Sequence, residues 1–550
     1  MTPFALRRSL PAMTGLLALL TGVGTLAVIF LQAPLYVPPL LAGIVLGLQY
    51  LIGPVFLDHL VRHSWVEQRG GTYAIDHPLG RIVAQRCAEA GLKPVRLSVI
   101  DDGMPNAFTY GHHRGDARVC VSRGLLERLD ENELDAVVTH ELGHVRNNDV
   151  IVMTLASGVP ILLYYVYAML RSANRGDTQT VAVVSYIGYL LSQLVVLALG
   201  RARESSADHF SCELTGHGDA LASALIKVAY GIGDVKAQQG QLMANLKAQG
   251  KSTRKQRAAM QRRSERMNAL GVLGIADPRS SASIQLAASG MPWDTVRGAL
   301  RWEVLSPWAR LLEKLCSHPL TARRIVDLGR SGLPGAPAGW AALADETAED
   351  RTGLAKVRRQ FAGEVAIMLA PWAALLAGAG WIAGVHPGSA AGVLIVLAGL
   401  LFFAKQIVRY PFSWQVQEKV TGLLDRLDAS PMRGIPVSLR GRVIGRAMPG
   451  YRLSSDLVVA DDSGFVPVLY RQPIGIVNAI FALAKAGRFE QQEVLVRGWY
   501  RRGPGPVVEL YDIVAADGTR SRSWEAGVRF AAAIVVVLVG VVMVLNGLTG

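Results

Sequence analysis

Cysteine is scarce. The 550-residue chain has four, Cys87, Cys120, Cys212 and Cys316, far apart and without a CxxC pair. This excludes a disulfide scaffold and a structural cysteine-zinc site, and it suits a reducing compartment. Acid is also short, with 43 Asp plus Glu against 57 Lys plus Arg and a formal charge of +14. In a membrane protein such an excess marks cytoplasmic loops; nucleic-acid binding is the rival reading. What the chain has in plenty is apolar residues. It is 51% hydrophobic with a mean hydropathy of +0.28, too high for an ordinary soluble protein.

Long apolar runs account for that value. A helix needs about 20 apolar residues to cross the bilayer core. Candidate spans run from Thr14 to Leu31, Leu35 to Leu57, Ile151 to Leu170, Val181 to Gly200, Val365 to Val385, Ala390 to Ala404 and Phe530 to Leu545. Arg7 and Arg8 precede the first span, so it reads as an uncleaved anchor with a cytoplasmic N-terminus. The pair within 151–200 could also be a hairpin in a soluble core. Two further hairpins return the chain to its starting side. Residues 58–150, 201–361 and 406–526 are then all cytoplasmic, in keeping with their Lys and Arg content. A basic stretch at 247–266 reads as a solvated helix or loop, with anionic headgroups as the sharper alternative.

Between the second and third spans stands "ENELDAVVTHELGHVRNND", residues 131–149. Leu134, Val137, Val138 and Leu142 recur at helical spacing, and Asp130 or Asn132 can cap the start. Residues four apart share a helix face, so His140 and His144 can offer two imidazoles to one ion, as Zn²⁺ prefers. Glu141 is rotated roughly 100° from His140. It sits beside the ion, where a carboxylate can take a proton from the water that zinc activates. Gly143 lets another backbone approach. A catalytic zinc needs a third protein ligand. If the helix after the fourth span continues through "GRARESSADHF", Glu204 and Asp208 share one face. Glu204 would complete a His₂Glu set and Asp208 would orient an imidazole. Asp208 and His209 are competing ligands.

These residues resemble the HtpX-like membrane zinc metalloproteases, relatives of the CAAX prenyl proteases, over roughly residues 30–330. Four stretches carry the likeness in order: "PNAFTYG" at 105–111, the motif helix at 124–149, "RARESSAD" at 201–208 and "HPLTARRI" at 318–325. The resemblance implies one Zn²⁺ per chain on His140, His144 and Glu204, with Glu141 catalytic and Asp208 behind the ligands. It also implies that "NAFTYG" is a strand bordering the cleft, whose edge can pair with an extended peptide. That makes Asn106, Ala107 and Phe108 candidate substrate contacts. Arg324 could pair with a carboxylate near the cleft or steady an oxyanion. His318 reads as a structural residue ahead of a helix, and His112 and His113 as loop residues.

Residues 436–516 change texture, with three strands, a short helix and two strands expected. That order suggests an OB-like barrel, a fold that often binds oligonucleotides or oligosaccharides. Arg440, Arg442, Trp499, Tyr500, Arg501 and Arg502 would suit such a ligand, but stacking aromatics are few, so nucleic acid is not expected. A protein or membrane contact fits the tether between spans better.

The expectation is a mainly α membrane protein, a multi-span helical bundle carrying a zincin-type α+β metalloprotease domain and a small C-terminal β-barrel. Its parts are an N-terminal transmembrane hairpin at 1–60, the protease domain at 61–335 with a membrane hairpin at about 151–200, a hairpin at 360–410, the OB-like domain at 430–525 and a last span at 528–548. The expected activity is endopeptidase cleavage of membrane or misfolded proteins in the inner membrane, with the site facing the cytoplasm. A processing protease for lipidated peptides and a membrane scaffold with a secondary zinc site are the alternatives.

Overall fold

The computed structural model describes residues 37–228, 300–336 and 351–549, apart from 61–62, 71, 102–104, 173–175, 334, 385–388, 415–416, 447–454 and 504. The span expected at 14–31 and the basic run at 247–266 lie outside the described residues. The chain forms two compact units. The first takes in Met1–Val235, Thr253–Pro278 and Leu311–Leu343, and the second Lys236–Ser252, Arg279–Arg310 and Ala344–Gly550.

The first unit opens with α1 (Val37–Leu60), an apolar helix that exposes Leu40, Ile44, Leu48, Leu51 and Ile52. Such a surface suits lipid, where no water is available to penalise it. A small sheet follows, built from β1 (His63–Trp65), β2 (Arg96–Ile100), β3 (Ala107–Gly111) and β4 (Ala117–Ser122) in the order β1-β2-β4-β3. β2 and β4 are parallel, and β3 pairs antiparallel with β4, Ala107 opposite Val121. Among the described residues β3 is therefore an edge strand. Helix α2 (Pro78–Glu89) is tied to the motif helix by Arg86, whose Nε donates to Asp135 at 2.8 Å.

The motif helix is α3 (Glu131–Arg146). Asp130 accepts from the Glu133 backbone while Glu133 bonds back to the Asp130 N–H, a capping box that satisfies two orphan donors. The helix stops where Asn148 takes a left-handed φ of 52°, a conformation asparagine tolerates better than most residues. Asp149 then starts α4 (Asp149–Ser172), and α5 (Gly176–Thr215) returns as one continuous helix of 40 residues. Helix α6 (Thr321–Arg330) closes the unit.

Five helices among the described residues are long and apolar enough to cross a membrane: Asp149–Arg171, Gln179–Thr215, Gly353–Ala379, Ala390–Arg409 and Glu525–Asn546. They coincide with the last five expected spans. Leu155, Val159, Val184, Leu191 and Val195 are exposed, so α4 and α5 present apolar surface outward rather than packing as a soluble core.

The second unit holds α7 (Arg351–Gly384), α8 (Ser389–Arg409) and α10 (Glu525–Thr549). Helices α8 and α10 meet where Gly392 and Gly540 face each other; a Cβ on either would lie 2.9 Å from the other's carbonyl oxygen. Small residues allow that approach in a membrane. Between them lies a barrel of β5 (Ile435–Arg446), β6 (Leu457–Ala460), β7 (Phe465–Leu469), β8 (Glu493–Arg502) and β9 (Pro506–Ala515), with α9 (Gly475–Ala484) after the third strand and β10 (Arg520–Arg522) at the end. The order β8-β5-β6-β7-β9 closes through β8–β9 pairing, with β7 and β9 parallel. Closure removes the open edges, and Val437, Leu439, Val468, Val496 and Leu510 fill the interior.

The barrel corrects one expectation. Trp499, Tyr500, Arg501 and Arg502 are all buried. Arg501 pairs with Glu509 at 2.8 Å, and Arg502 donates to the Leu424 carbonyl at 2.6 Å. They brace the barrel and are not available for base stacking. Tyr500 faces the barrel interior while Trp499 and Arg501 face the end of the preceding span, and alternation alone cannot show that the second face is covered as well.

Replacing Asp130 by Ala removes the capping box and should cost about 1 kcal/mol. The expected readout is a thermal midpoint lower by a few degrees in the detergent-solubilised protein, with no change in metal content.

Candidate metal centre

The centre is assembled from α3, α4, α5 and the loop ahead of α6, all in the first unit. Gly143 makes it possible. A Cβ there would lie 3.1 Å from the Ala207 Cα, so α3 and α5 approach closely only because residue 143 has no side chain. That contact brings Glu204 opposite the two histidines. The Nε2 atoms of His140 and His144 lie 3.3 Å apart. Glu204 Oε2 is 3.7 Å from His140 Nε2, and Glu204 Oε1 is 3.5 Å from His144 Nε2. One ligand atom from each residue falls within 4.8 Å of the others.

Each imidazole is held from behind. Asp208 Oδ1 lies 2.9 Å from His140 Nδ1, and Asp149 Oδ2 lies 2.6 Å from His144 Nδ1. A carboxylate on Nδ1 fixes the tautomer that leaves Nε2 free, and it raises ligand basicity. Behind the carboxylates stand guanidiniums. Arg324 donates to both Asp208 oxygens, at 2.8 and 2.6 Å. Arg203 Nε lies 3.0 Å from Asp149. Burial opposes the charge on Arg324, but the neighbouring Asp208 outweighs it and holds the guanidinium ionised.

These residues fit a divalent cation. Among the described residues, the buried Glu204 Oε2 has no hydrogen-bond partner and only the Arg324 Nη1, 3.6 Å away, as a cation, which leaves room for a closer positive charge. With neutral imidazoles, four carboxylates (Glu141, Asp149, Glu204, Asp208) face two guanidiniums (Arg203, Arg324), leaving two formal negative charges. Burial disfavours a proton on His140, yet hydrogen bonds to Asp208 and Glu204 win and push it up to about 9. A metal competes with that proton for the same nitrogen.

Glu141 does not join the ligand set. Its Oε2 accepts from Thr109 Oγ1 of edge strand β3 at 2.7 Å, and the residue is 3% exposed. The carboxylate therefore sits between the histidine pair and the edge strand. Asn106 and Ala107 are buried at the start of that strand. Phe108 turns its side chain into a core with Ile100, Tyr110 and Cys120, and like Asn106, which is bonded to Ser122, it faces its main chain to β4, leaving Ala107 and Thr109 toward the outer edge. Arg324 is 4% exposed and committed to Asp208, the carboxylate-pairing alternative of the two considered for it. His209 is exposed, away from the ligands.

Two residues went unassigned in the sequence, and a third was given only a structural part. Asp149 closes the quoted motif, but its partnership depends on the turn at Asn148. Thr109 lies inside "NAFTYG", and its partner is 32 residues on. His318, expected as merely structural, sits with Nδ1 3.2 Å from Glu204 Oε1. Arg201 puts it there by donating to the carbonyls of Glu313, Lys314 and Cys316. The His-Pro pair was the only available signal.

The family model "Peptidase family M48" matches residues 76–331. A protease HtpX homolog of Methanothermobacter thermautotrophicus is 36% identical over 223 residues, covering 40% of this chain and 83% of that protein. The chain belongs to peptidase family M48. Protease HtpX homolog 1 of Streptomyces coelicolor is 36% identical over 200 residues, 34% of this chain and 64% of its own length. Protease HtpX homolog 2 of Methanosarcina mazei is 35% identical over 157 residues, 27% and 53% of the two chains. A solved structure of S. mikatae Ste24p aligns with 41% of this chain and 59% of its own, at 19% identity and a TM-score of 0.31. The family makes this a multi-pass membrane metalloprotease, and the metal such an enzyme requires has a His-His-Glu cluster ready for it.

His140→Ala should abolish stoichiometric metal, measured by elemental analysis of the purified protein. Asp149→Asn keeps all three ligands and should weaken affinity by roughly 10–100-fold in a chelator competition. Affinity should rise from pH 7 to 9, because ion binding must expel the His140 proton. The dependence of calorimetric enthalpy on buffer ionisation should show about one proton released at pH 8.

Proposed function

We propose that the chain is a zinc-dependent endopeptidase of the inner membrane, with its site at the cytoplasmic face, cleaving membrane or misfolded proteins. The observation that carries this reading is Glu141, a buried carboxylate outside the ligand set and oriented by the edge strand. Two imidazoles and one carboxylate are a ligand set typical of catalytic zinc, one short of four and so open to water or substrate. Bound there, zinc would supply Lewis-acid chemistry, polarising a carbonyl and making water acidic enough to ionise near pH 7.

The chain's own residues do the rest. The outer edge of β3 pairs with an extended peptide through main-chain hydrogen bonds at Ala107 and Thr109, with Asn106 and Phe108 flanking them on the strand, which lays the scissile bond along the Glu141 side. Glu141 takes a proton from the attacking water and hands it to the departing amine. Thr109 holds the carboxylate at that point. His318 and Arg324 keep Glu204 and Asp208 in place from the far side. The placement at the cytoplasmic face rests on the basic segments between spans.

Glu141→Gln should retain metal at one per chain and lose cleavage of casein, or of the protein itself, by at least about 100-fold, the scale of general-base catalysis. Proteolysis at the native rate in the purified, metal-loaded variant would refute the assignment.

A further inference from the structure

Helix α9 of the barrel has two apolar faces. Phe481 points inward and stacks on Tyr470 with ring centroids 3.7 Å apart, and Phe489 beyond the helix is fully buried. On the opposite side Ile476, Ile480 and Leu483 are 68%, 57% and 63% exposed, and Ile474 just ahead of the helix is 63% exposed. Positions 476, 480 and 483 follow the i, i+4, i+7 spacing of a single stripe. A stripe of large aliphatics is an unfavourable face to show to water.

The stripe is tethered to a point where the chain enters the membrane. Gln472 Nε2 donates to the Arg522 carbonyl at 2.8 Å, and Trp524 N donates to Gln472 Oε1 at 3.1 Å. Ser523 Oγ donates to the Arg471 carbonyl. Residues 522–524 immediately precede the span Glu525–Asn546. A second clamp holds the barrel to the end of the preceding span. Arg501 Nη2 donates to the Arg409 carbonyl at 2.6 Å, and Trp499 Nε1 to that of Pro411 at 2.8 Å. The barrel is thus fastened at the ends of two membrane helices. Exposed Trp524 and Phe412 mark those same ends, and tryptophan favours the membrane–water interface. Arg471, Lys485 and Arg488 are exposed around the stripe, placed to meet lipid phosphates.

We propose that the outer stripe of α9 is seated in the headgroup–acyl boundary of the bilayer, making the barrel a membrane-resting module. Its partner is then lipid, reached through Ile474, Ile476, Ile480 and Leu483. This holds whatever peptide the metal site cleaves.

The test uses the full-length chain with Cys316→Ser, since the other three cysteines are buried. Single cysteines at Ile476, Ile480 or Asp462, an exposed residue of the β6–β7 turn, carry a nitroxide. The protein is reconstituted into phosphatidylethanolamine–phosphatidylglycerol vesicles. Collision with membrane-dissolved oxygen should exceed collision with an aqueous nickel chelate several-fold at 476 and 480, and the ratio should reverse at 462. Nickel accessibility at 476 and 480 equal to that at 462 would overturn the proposal. So would protection from both reagents, which would signal contact with a second copy of the chain. Both labelled isoleucines are exposed, so labels there leave the core intact.

Discussion

The centre depends on the pairing of each histidine with its own carboxylate. An imidazole has two nitrogens, and only one can face the ion. Asp208 and Asp149 take the Nδ1 side of His140 and His144, so both Nε2 atoms turn toward Glu204. Without those two partners the same helix would carry two rotatable side chains and no defined site. The carboxylates come from different elements, one from near the C-terminal end of α5 and one from the first residue of α4. Both elements begin or end in the membrane-spanning part of the chain, so the span geometry and the ligand geometry are a single constraint.

Burying that many charges is expensive unless they compensate one another. Arg324 and Arg203 neutralise part of the acid from behind, and a dication would neutralise the remainder. The arrangement explains why α3 and α5 must pack so closely at Gly143. Even a small gap would let water in and weaken each of these interactions, because their strength depends on the low local polarisability. The same closeness puts Glu141 beside the ligands without making it one, held from the side by Thr109 of the edge strand.

The second unit uses buried charge differently. Arg501, Glu509 and Tyr410 form a bonded group at the junction of barrel and span. Arg501 is spent on attachment, and the barrel's exposed apolar stripe lies close in the structure to the entry of the last span.

Much of this was legible in the chain. The helical period placed His140 and His144 on one face, the apolar runs marked the last five spans, and alternation and turn residues marked three strands, a helix and two strands along the barrel segment. Even the continuation of α5 through Glu204 and Asp208 was readable, because nothing between the span and those residues stops a helix. What tertiary structure alone decided were the meetings of residues far apart. Asp149 faces His144 because of one left-handed residue, Thr109 reaches Glu141 across 32 positions, and His318 arrives beside Glu204 through carbonyls gathered by Arg201. The covering of both faces of β8, Tyr500 by the barrel interior and Trp499 by Tyr410 beside the span, was decided the same way. Local sequence encodes period and propensity; it does not encode which face of a strand is covered or which distant carboxylate completes a buried charge balance, since both follow from packing.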